Sequence, residues 1–186
     1  MHEIEPFFNW DKLYNPAEDE KSPFYGSTYG GYEFAVYDHF IHPLWDYIGS
    51  DTLYVKVLFV DYDNSFCIIE LLGEWNDTLH NDIMHLKRTL IDGLLSEKVN
   101  RFILIGENVL NFHGLEDDYY QEWFDEVEDG WIVMMGFREF IHREWTKYKL
   151  DYYLNWGGNL ELENWRTLSP QKIIELIHDD VRRRIG

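Results

Sequence analysis

Apolar positions along this chain fall into two kinds of run. Ile68-Ile69-Glu70-Leu71-Leu72-Gly73-Glu74, Phe102-Ile103-Leu104-Ile105-Gly106-Glu107 and Trp131-Ile132-Val133-Met134-Met135-Gly136-Phe137-Arg138 are near-continuous and of strand length, and each is expected to stop at its glycine and turn polar just beyond, at Glu74, Glu107 and Arg138. Continuous apolar runs fit strands covered on both faces. The glycines lie about thirty residues apart with a helical pattern in each gap, which predicts parallel β-α-β-α-β units. Leu53–Val60 and Ser65–Leu72 read as two strands joined by Asp61-Tyr62-Asp63-Asn64, a turn short enough to make them antiparallel. The prediction is a mixed α/β sheet: an N-terminal antiparallel hairpin, then parallel strands, with helices packed on the sheet.

The second kind of run has helical spacing. Leu79, Ile83, Leu86, Leu90 and Leu94 make one stripe behind a cap at Asn76 or Asp77. Leu115, Tyr119, Trp123 and Val127 make a shorter one, with Glu116, Asp117 and Asp118 at its start. Phe137, Ile141, Trp145, Tyr148, Tyr152 and Trp156 predict a helix from Arg138 to about Asn155, stopped by Gly157-Gly158; a hairpin across those glycines is the rival reading, because Leu150, Tyr152, Leu154 and Trp156 also alternate. Ser169-Pro170 opens a C-terminal helix, 169–185, with the stripe Ile173, Ile174, Ile177, Val181 and Ile185. Phe34, Tyr37, Phe40, Ile41, Leu44, Trp45 and Ile48 predict a helical lead-in over 33–48, kinked at Pro43. Residues 1–32 carry Pro6, Pro16 and Pro23 and seven aromatic rings from Phe7 to Tyr29, so they read as an irregular arm laid over the domain.

Composition adds limits. A chain of 186 residues is most simply one domain, here 1–186 with its sheet core over 53–148. The formal net charge is −19, a field that repels phosphate backbones and anionic lipid and so argues against nucleic-acid and membrane-surface partners. Arg182-Arg183-Arg184, the basic cluster, falls in a last helical turn, where it suits the helix dipole. One cysteine, Cys67, sits within a strand run, which excludes an internal disulfide. Residues 1–6 lack a basic start and an apolar core, and no apolar stretch approaches the roughly 20 residues that span a bilayer. The expected location is cytoplasmic, which makes the sequon Asn76-Asp77-Thr78 incidental.

Named motifs fail. Gly26-Ser27-Thr28-Tyr29-Gly30-Gly31 has the wrong spacing for a phosphate loop. Asp61-Tyr62-Asp63-Asn64-Ser65 opens like a calcium loop but places Phe66 at the required glycine and Leu72 at the bidentate acid. His39 and His42 share a helical face only if Pro43 permits one, and a third metal ligand is missing; His80 and His85 diverge. No cofactor is expected.

Architecture and chemistry coincide at one place, the edge beyond the three strand glycines, since ligands of open α/β sheets bind outside the carboxyl ends of parallel strands. Glu74, Asn76, Asp77, Glu107, Asn108, Arg138 and Glu139 are expected there, with Asn111 and His113 on the adjoining loop. Carboxylates beside an Asn and a His can hold a divalent cation or act as acid and base. Glu74 and Glu107 are the carboxylates that neighbouring strands would offer a metal, and Arg138 is expected to neutralise them instead. Lys56 and Glu70, lone charges in apolar strands, are expected to share a sheet face and pair with each other.

The order hairpin, helix, strand, helix, strand, helix over Ile68 to about Tyr148 resembles the STAS domain of anti-sigma-factor antagonists and sulfate transporters. Leu72-Gly73-Glu74 is similar to that family's strand-Gly-Glu entry into its first helix. The loop Gly106–Gly114 falls where the family carries an Asp-Ser phosphorylation pair; His113-Gly114-Leu115 stands there in this chain, with no hydroxyl. The resemblance implies a non-catalytic regulatory module that binds a protein partner, without the phosphoswitch. Two other classes remain open: a metal-assisted hydrolase using the acidic strand ends, and a small-ligand or sugar-binding module using spare aromatic rings.

Overall fold

The structure, a computed structural model, describes residues 2–30, 35–36, 39–114 and 118–185. Its elements are β1 (His2–Ile4), β2 (Ala35–Val36), β3 (His39–Ile41), β4 (Asp46–Tyr47), β5 (Leu53–Asp61), β6 (Phe66–Asn76), α1 (Asp82–Leu86), a π-helical turn (Lys87–Ile91), α2 (Asp92–Ser96), β7 (Arg101–His113), α3 (Asp118–Glu126), β8 (Trp131–Met135), α4 (Glu139–Lys147) and α5 (Pro170–Ile185), with short 3-10 turns at Leu150–Tyr152, Gly158–Leu160 and Trp165–Thr167. Of the positions invoked above, Gly31, Phe34, Tyr37 and residues 115–117 lie outside the described residues, as does the side chain of Ile185.

A five-stranded sheet in the order β4-β5-β6-β7-β8 forms the centre. The hairpin β5–β6 is antiparallel, and β6, β7 and β8 run parallel. This is the mixed α/β architecture that the apolar runs predict. Alternation, interrupted by a bulge between Val57 and Phe59, gives the sheet two sides. One side carries Val55, Val57, Ile69, Leu71, Phe102, Leu104, Ile132 and Met134, under Leu86, Leu90 and Leu94 of the α1–α2 helix, Trp123 of α3 and Ile141 and Trp145 of α4. The other carries Ile68, Ile103, Ile105, Val133 and Met135, under Ile173, Ile177 and Val181 of α5, Leu160, Trp165 and Trp10. Among the described residues no helix is long and apolar enough to cross a membrane.

Three sequence expectations need correction. Within 33–48 the described residues form β2, β3 and β4, not a helix: β1, β3 and β2 make a small sheet, and β4 is the edge of the large one. Beta-branched and aromatic residues suit strands as well as a helical stripe. Here the partners decide: β3 pairs with β1 from the far N-terminus, and Trp45 Nε1 donates to the Ile4 carbonyl at 2.7 Å. β1 also puts regular structure inside the expected irregular arm.

The second correction concerns the glycines. β6 and β7 do not stop at Gly73 and Gly106 but run through them to Asn76 and His113. Gly73 has φ +119°, and a Cβ there would lie 2.0 Å from the Thr52 carbonyl oxygen; one at Gly106 would lie 2.2 Å from the Phe137 ring. These glycines serve close approach within the sheet and its packing, not a turn. Gly136, with φ +73°, does follow the end of its strand.

Third, the segment from Arg138 to Asn155 is neither one helix nor half a hairpin. α4 ends at Lys147, Lys149 takes a left-handed conformation (φ +61°), and the chain returns to β8, where Asn155 exchanges backbone hydrogen bonds with Ile132 and Met134 at 2.9 and 2.8 Å.

Candidate functional site

The sequence-predicted residues separate into four places. Glu74, Asn76, Asn111 and His113 cluster near the far ends of β6 and β7: His113 Nε2 lies 3.1 Å from Glu74 Oε1 and 2.9 Å from Asn111 Nδ2, and Asn76 Nδ2 donates to Glu74 at 3.2 Å. Asp77 is buried. It accepts hydrogen bonds from Trp75 Nε1 (2.9 Å), the Ile83 amide (2.8 Å) and the Tyr120 hydroxyl (2.7 Å). Burial pushes its carboxyl up to about 6 against those donors. The expected helix cap at Asn76 or Asp77 needs correction: α1 is preceded at its N-cap by Asn81, in a left-handed conformation, and Asp77 reaches only the Ile83 amide of the first turn. Arg138 and Glu139 are exposed at the start of α4, with Glu139 held by Arg143 at 2.6 Å.

Glu107 and Asn108 belong to the fourth place, on the α5 side of the sheet. The ladder sets Glu74 opposite Asn111 and Leu72 opposite Asn108, so Glu74 and Glu107 do not face each other across the strands. The guanidinium beside Glu107 is not that of Arg138 but that of Arg166, from the 3-10 turn before α5. Trp165 Nε1 adds a hydrogen bond to Glu107 at 2.9 Å, and the Arg166 guanidinium lies over the Trp165 ring at 4.6 Å.

Glu70 lies beside this group with 1% of its surface exposed. Its carboxylate accepts the Phe7 backbone N–H at 2.7 Å, with the Asn108 amide at 3.4 Å and Arg166 Nη2 at 3.8 Å. Burial raises its carboxyl to about 7, helped by Glu107 and opposed by Phe7 and Arg166.

Lys56 stands directly opposite Glu70 in the β5–β6 ladder, so the expected common face is correct. The expected ion pair is not what forms. Lys56 Nζ donates to the Tyr29 hydroxyl at 2.8 Å and to Asp46 Oδ2 at 3.3 Å, and the Tyr29 hydroxyl donates to Asp46 Oδ1 at 2.9 Å. Burial lowers the Lys56 ammonium and raises the Asp46 carboxyl, each partly offset by the other. The Tyr29 phenol is raised, by burial first and then by Asp46.

These residues make a polar row across β4, β5, β6 and β7. Tyr54, Lys56 and Leu58 alternate along β5, and Ile68, Glu70 and Leu72 along β6. The row therefore divides this side of the sheet into an apolar cluster around Trp10, Ile68 and Ile105 and another around Trp45, Tyr54 and Leu72. The arm covers it. Residues Pro6 to Pro16 enclose, with Tyr29, Leu44, Lys56, Val57 and Leu58, a cavity of about 260 Å³. A second cavity, of about 360 Å³, has Asp46, Trp45, Tyr54 and His42 in its wall. Tyr29 lines both, so the Lys56–Tyr29–Asp46 triad stands between them.

Among the described residues, one group of acids has metal-like spacing. Asp92, Glu122 and Glu126 bring carboxylate oxygens within 4.8 Å of one another. Lys87 Nζ, fully buried, reaches all three, and Arg88 binds Glu122 and Asp92 at 2.6 and 2.9 Å. The chain's own ammonium thus takes the place a cation would occupy.

Sequence reasoning missed Asp46, Tyr29, Arg166 and Trp165. Its signal was the pair of lone strand charges, Lys56 and Glu70, which mark where the row crosses the sheet but not which segments supply the partners. No family model matches the chain, and no curated protein matches it significantly.

Proposed function

We propose that the protein works by binding, and that its binding element is the side of the sheet beneath the N-terminal arm, taking a small molecule with an aromatic or aliphatic body. The observation that carries this is the cavity between arm and β5, in which Phe7, Trp10, Tyr14, Leu44 and Leu58 supply apolar wall and Lys56 and Tyr29 supply polar groups. Sites for small ligands are commonly built this way, as apolar concavities with a few placed polar groups. The metal-assisted hydrolase is less well supported, since Asp77 is buried and accepts three hydrogen bonds, and Glu107 and the Asp92 trio are matched by Arg166, Lys87 and Arg88. Saturation-transfer NMR of the full chain with neutral aromatic fragments tests the reading. Saturable binding that disappears when Leu44→Trp fills the cavity is expected; binding indifferent to that substitution contradicts it.

A second reading is the regulatory module with a protein partner that the STAS-like order implies. Phe124 on α3 and Tyr152 favour it, with 43% and 75% of their surfaces exposed and the Phe124 ring 5.7 Å from that of Tyr153. Co-purification of a partner lost in a Phe124→Glu, Tyr152→Glu double variant supports it, and retention of that partner by the variant removes this patch from consideration.

A further inference from the structure

We infer that Lys56 is a covalent capture residue, forming an imine with an aldehyde carried on an apolar or aromatic body seated in the cavity beneath the arm. The inference rests on the reading of that cavity as the ligand site and adds the chemistry of its polar wall.

The requirements of imine formation are an amine that can lose its proton, a nearby group to take it and later return it, and a place for the carbonyl compound. Lys56 lines the cavity and lies in an otherwise apolar strand stretch, between Val55 and Val57, both essentially fully buried. Asp46 Oδ2, 3.3 Å from Nζ, is the proton acceptor. Burial disfavours both charges of this pair, lowering the lysine and raising the aspartate, and each shift moves the pair towards neutral amine and carboxylic acid. A desolvated lysine is a common form of activated amine nucleophile. Tyr29, hydrogen-bonded to both, bridges the proton path.

The step balances as follows. The Lys56 ammonium gives a proton to the Asp46 carboxylate, and the free amine attacks the carbonyl carbon, forming a C–N bond while the C=O π pair moves to oxygen. The oxygen and the nitrogen exchange protons to give a carbinolamine. Asp46 then protonates its hydroxyl, water leaves, and the nitrogen lone pair closes C=N as an iminium beside the regenerated Asp46 carboxylate. The net change is aldehyde plus ammonium to iminium plus water, with no oxidant or reductant. Charge also selects the ligand class: the net charge of −19 disfavours anionic ligands, whereas a neutral aldehyde meets no such barrier.

The test treats the full chain with cinnamaldehyde and cyanoborohydride and maps reduced adducts by peptide mass spectrometry, with cinnamyl alcohol as the non-covalent probe. Labelling at Lys56 should exceed that at each surface lysine severalfold, because burial lowers its ammonium and raises the share of free amine, and the cavity seats the aldehyde beside it. Cinnamyl alcohol should suppress that labelling. Lys56→Arg, which keeps a cation for Asp46, should abolish it. Labelling spread evenly over surface lysines while cinnamyl alcohol still binds in the cavity overturns the covalent role and leaves the binding reading standing. Absence of both selective labelling and alcohol binding overturns the two together.

Discussion

Lys56 and Glu70 lie directly opposite each other across the β5–β6 ladder, yet each takes another partner: Lys56 binds Asp46 and Tyr29, while Glu70 binds the Phe7 backbone and the Arg166–Glu107 group. Opposite charges on one face of adjacent strands would ordinarily pair. Here they are shared out, so that β5 is tied to β4 and the Tyr29 segment while β6 is tied to the arm and the turn before α5. The two halves of the polar row hold down two different coverings of the same sheet.

Glu70 makes stability depend on pH. Its folded carboxyl is raised to about 7 from an ordinary 4.5, so between those values the folded state binds the extra proton. Stability from this group is then fully present below pH 4.5 and is lost as pH rises through 7, a loss of about 3 kcal/mol at 1.4 kcal/mol per unit. Urea titrations at several pH values should show that slope in the wild type and its reduction in Glu70→Gln. An unchanged slope in the variant would mean that another group, such as Asp77, carries it.

Lys87 should prove structural. Replacing it with Met leaves Asp92, Glu122 and Glu126 repelling one another, but each is a third or more exposed and Arg88 still holds two of them, so the loss should be about 1 kcal/mol, well short of that for a fully buried pair. Magnesium, calcium or manganese should leave the wild-type melting temperature unchanged. A metal-dependent rise that is lost in Glu122→Gln would show instead that the trio admits a cation in place of the ammonium.

The sheet core was legible because run length and spacing agree there: Ile103, Val133 and their neighbours are strand-length apolar runs, and Leu86, Leu90 and Leu94 keep helical spacing. Around Phe40 and Ile41 the same aromatic and branched residues satisfy a helical stripe and a strand alternation at once, and the deciding contact, β1 with β3, spans nearly forty residues. The glycines misled for a related reason. Gly73 and Gly106 sit where a strand could end, but the Thr52 carbonyl and the Phe137 ring that require them come from other elements. In the site, Lys56 and Glu70 stood out as isolated charges, whereas Asp46, Tyr29 and Arg166 come from stretches whose pattern gives no register.

Gly73→Ala is the sharpest check on that account of the glycines. With φ +119° and a backbone oxygen at 2.0 Å from the added methyl, neither the residue nor its neighbour can give way cheaply. The variant should lose at least about 2 kcal/mol in denaturant unfolding, towards the upper end for overpacking. Gly30→Ala, where an added Cβ meets nothing within 4 Å, should be nearly neutral. Equal behaviour of the two would argue against close approach as the reason for Gly73.

The arm should contribute to the core it covers. Trp10 is 6% exposed and packs edge-on against Phe7 and Trp165, with ring centroids 5.0 and 5.9 Å away. Trp10→Ala should cost about 3 kcal/mol, as for other large aromatic truncations in cores. Thermal melts showing no change would detach the arm from the sheet.

The most direct test of the binding reading is amide hydrogen exchange of the full chain with and without cinnamyl alcohol. Added protection confined to residues 7–16 and 56–58, which wall the cavity between arm and β5, is the predicted result. Protection centred on Phe124 and Tyr152, or none anywhere at saturating probe, would contradict a ligand site beneath the arm.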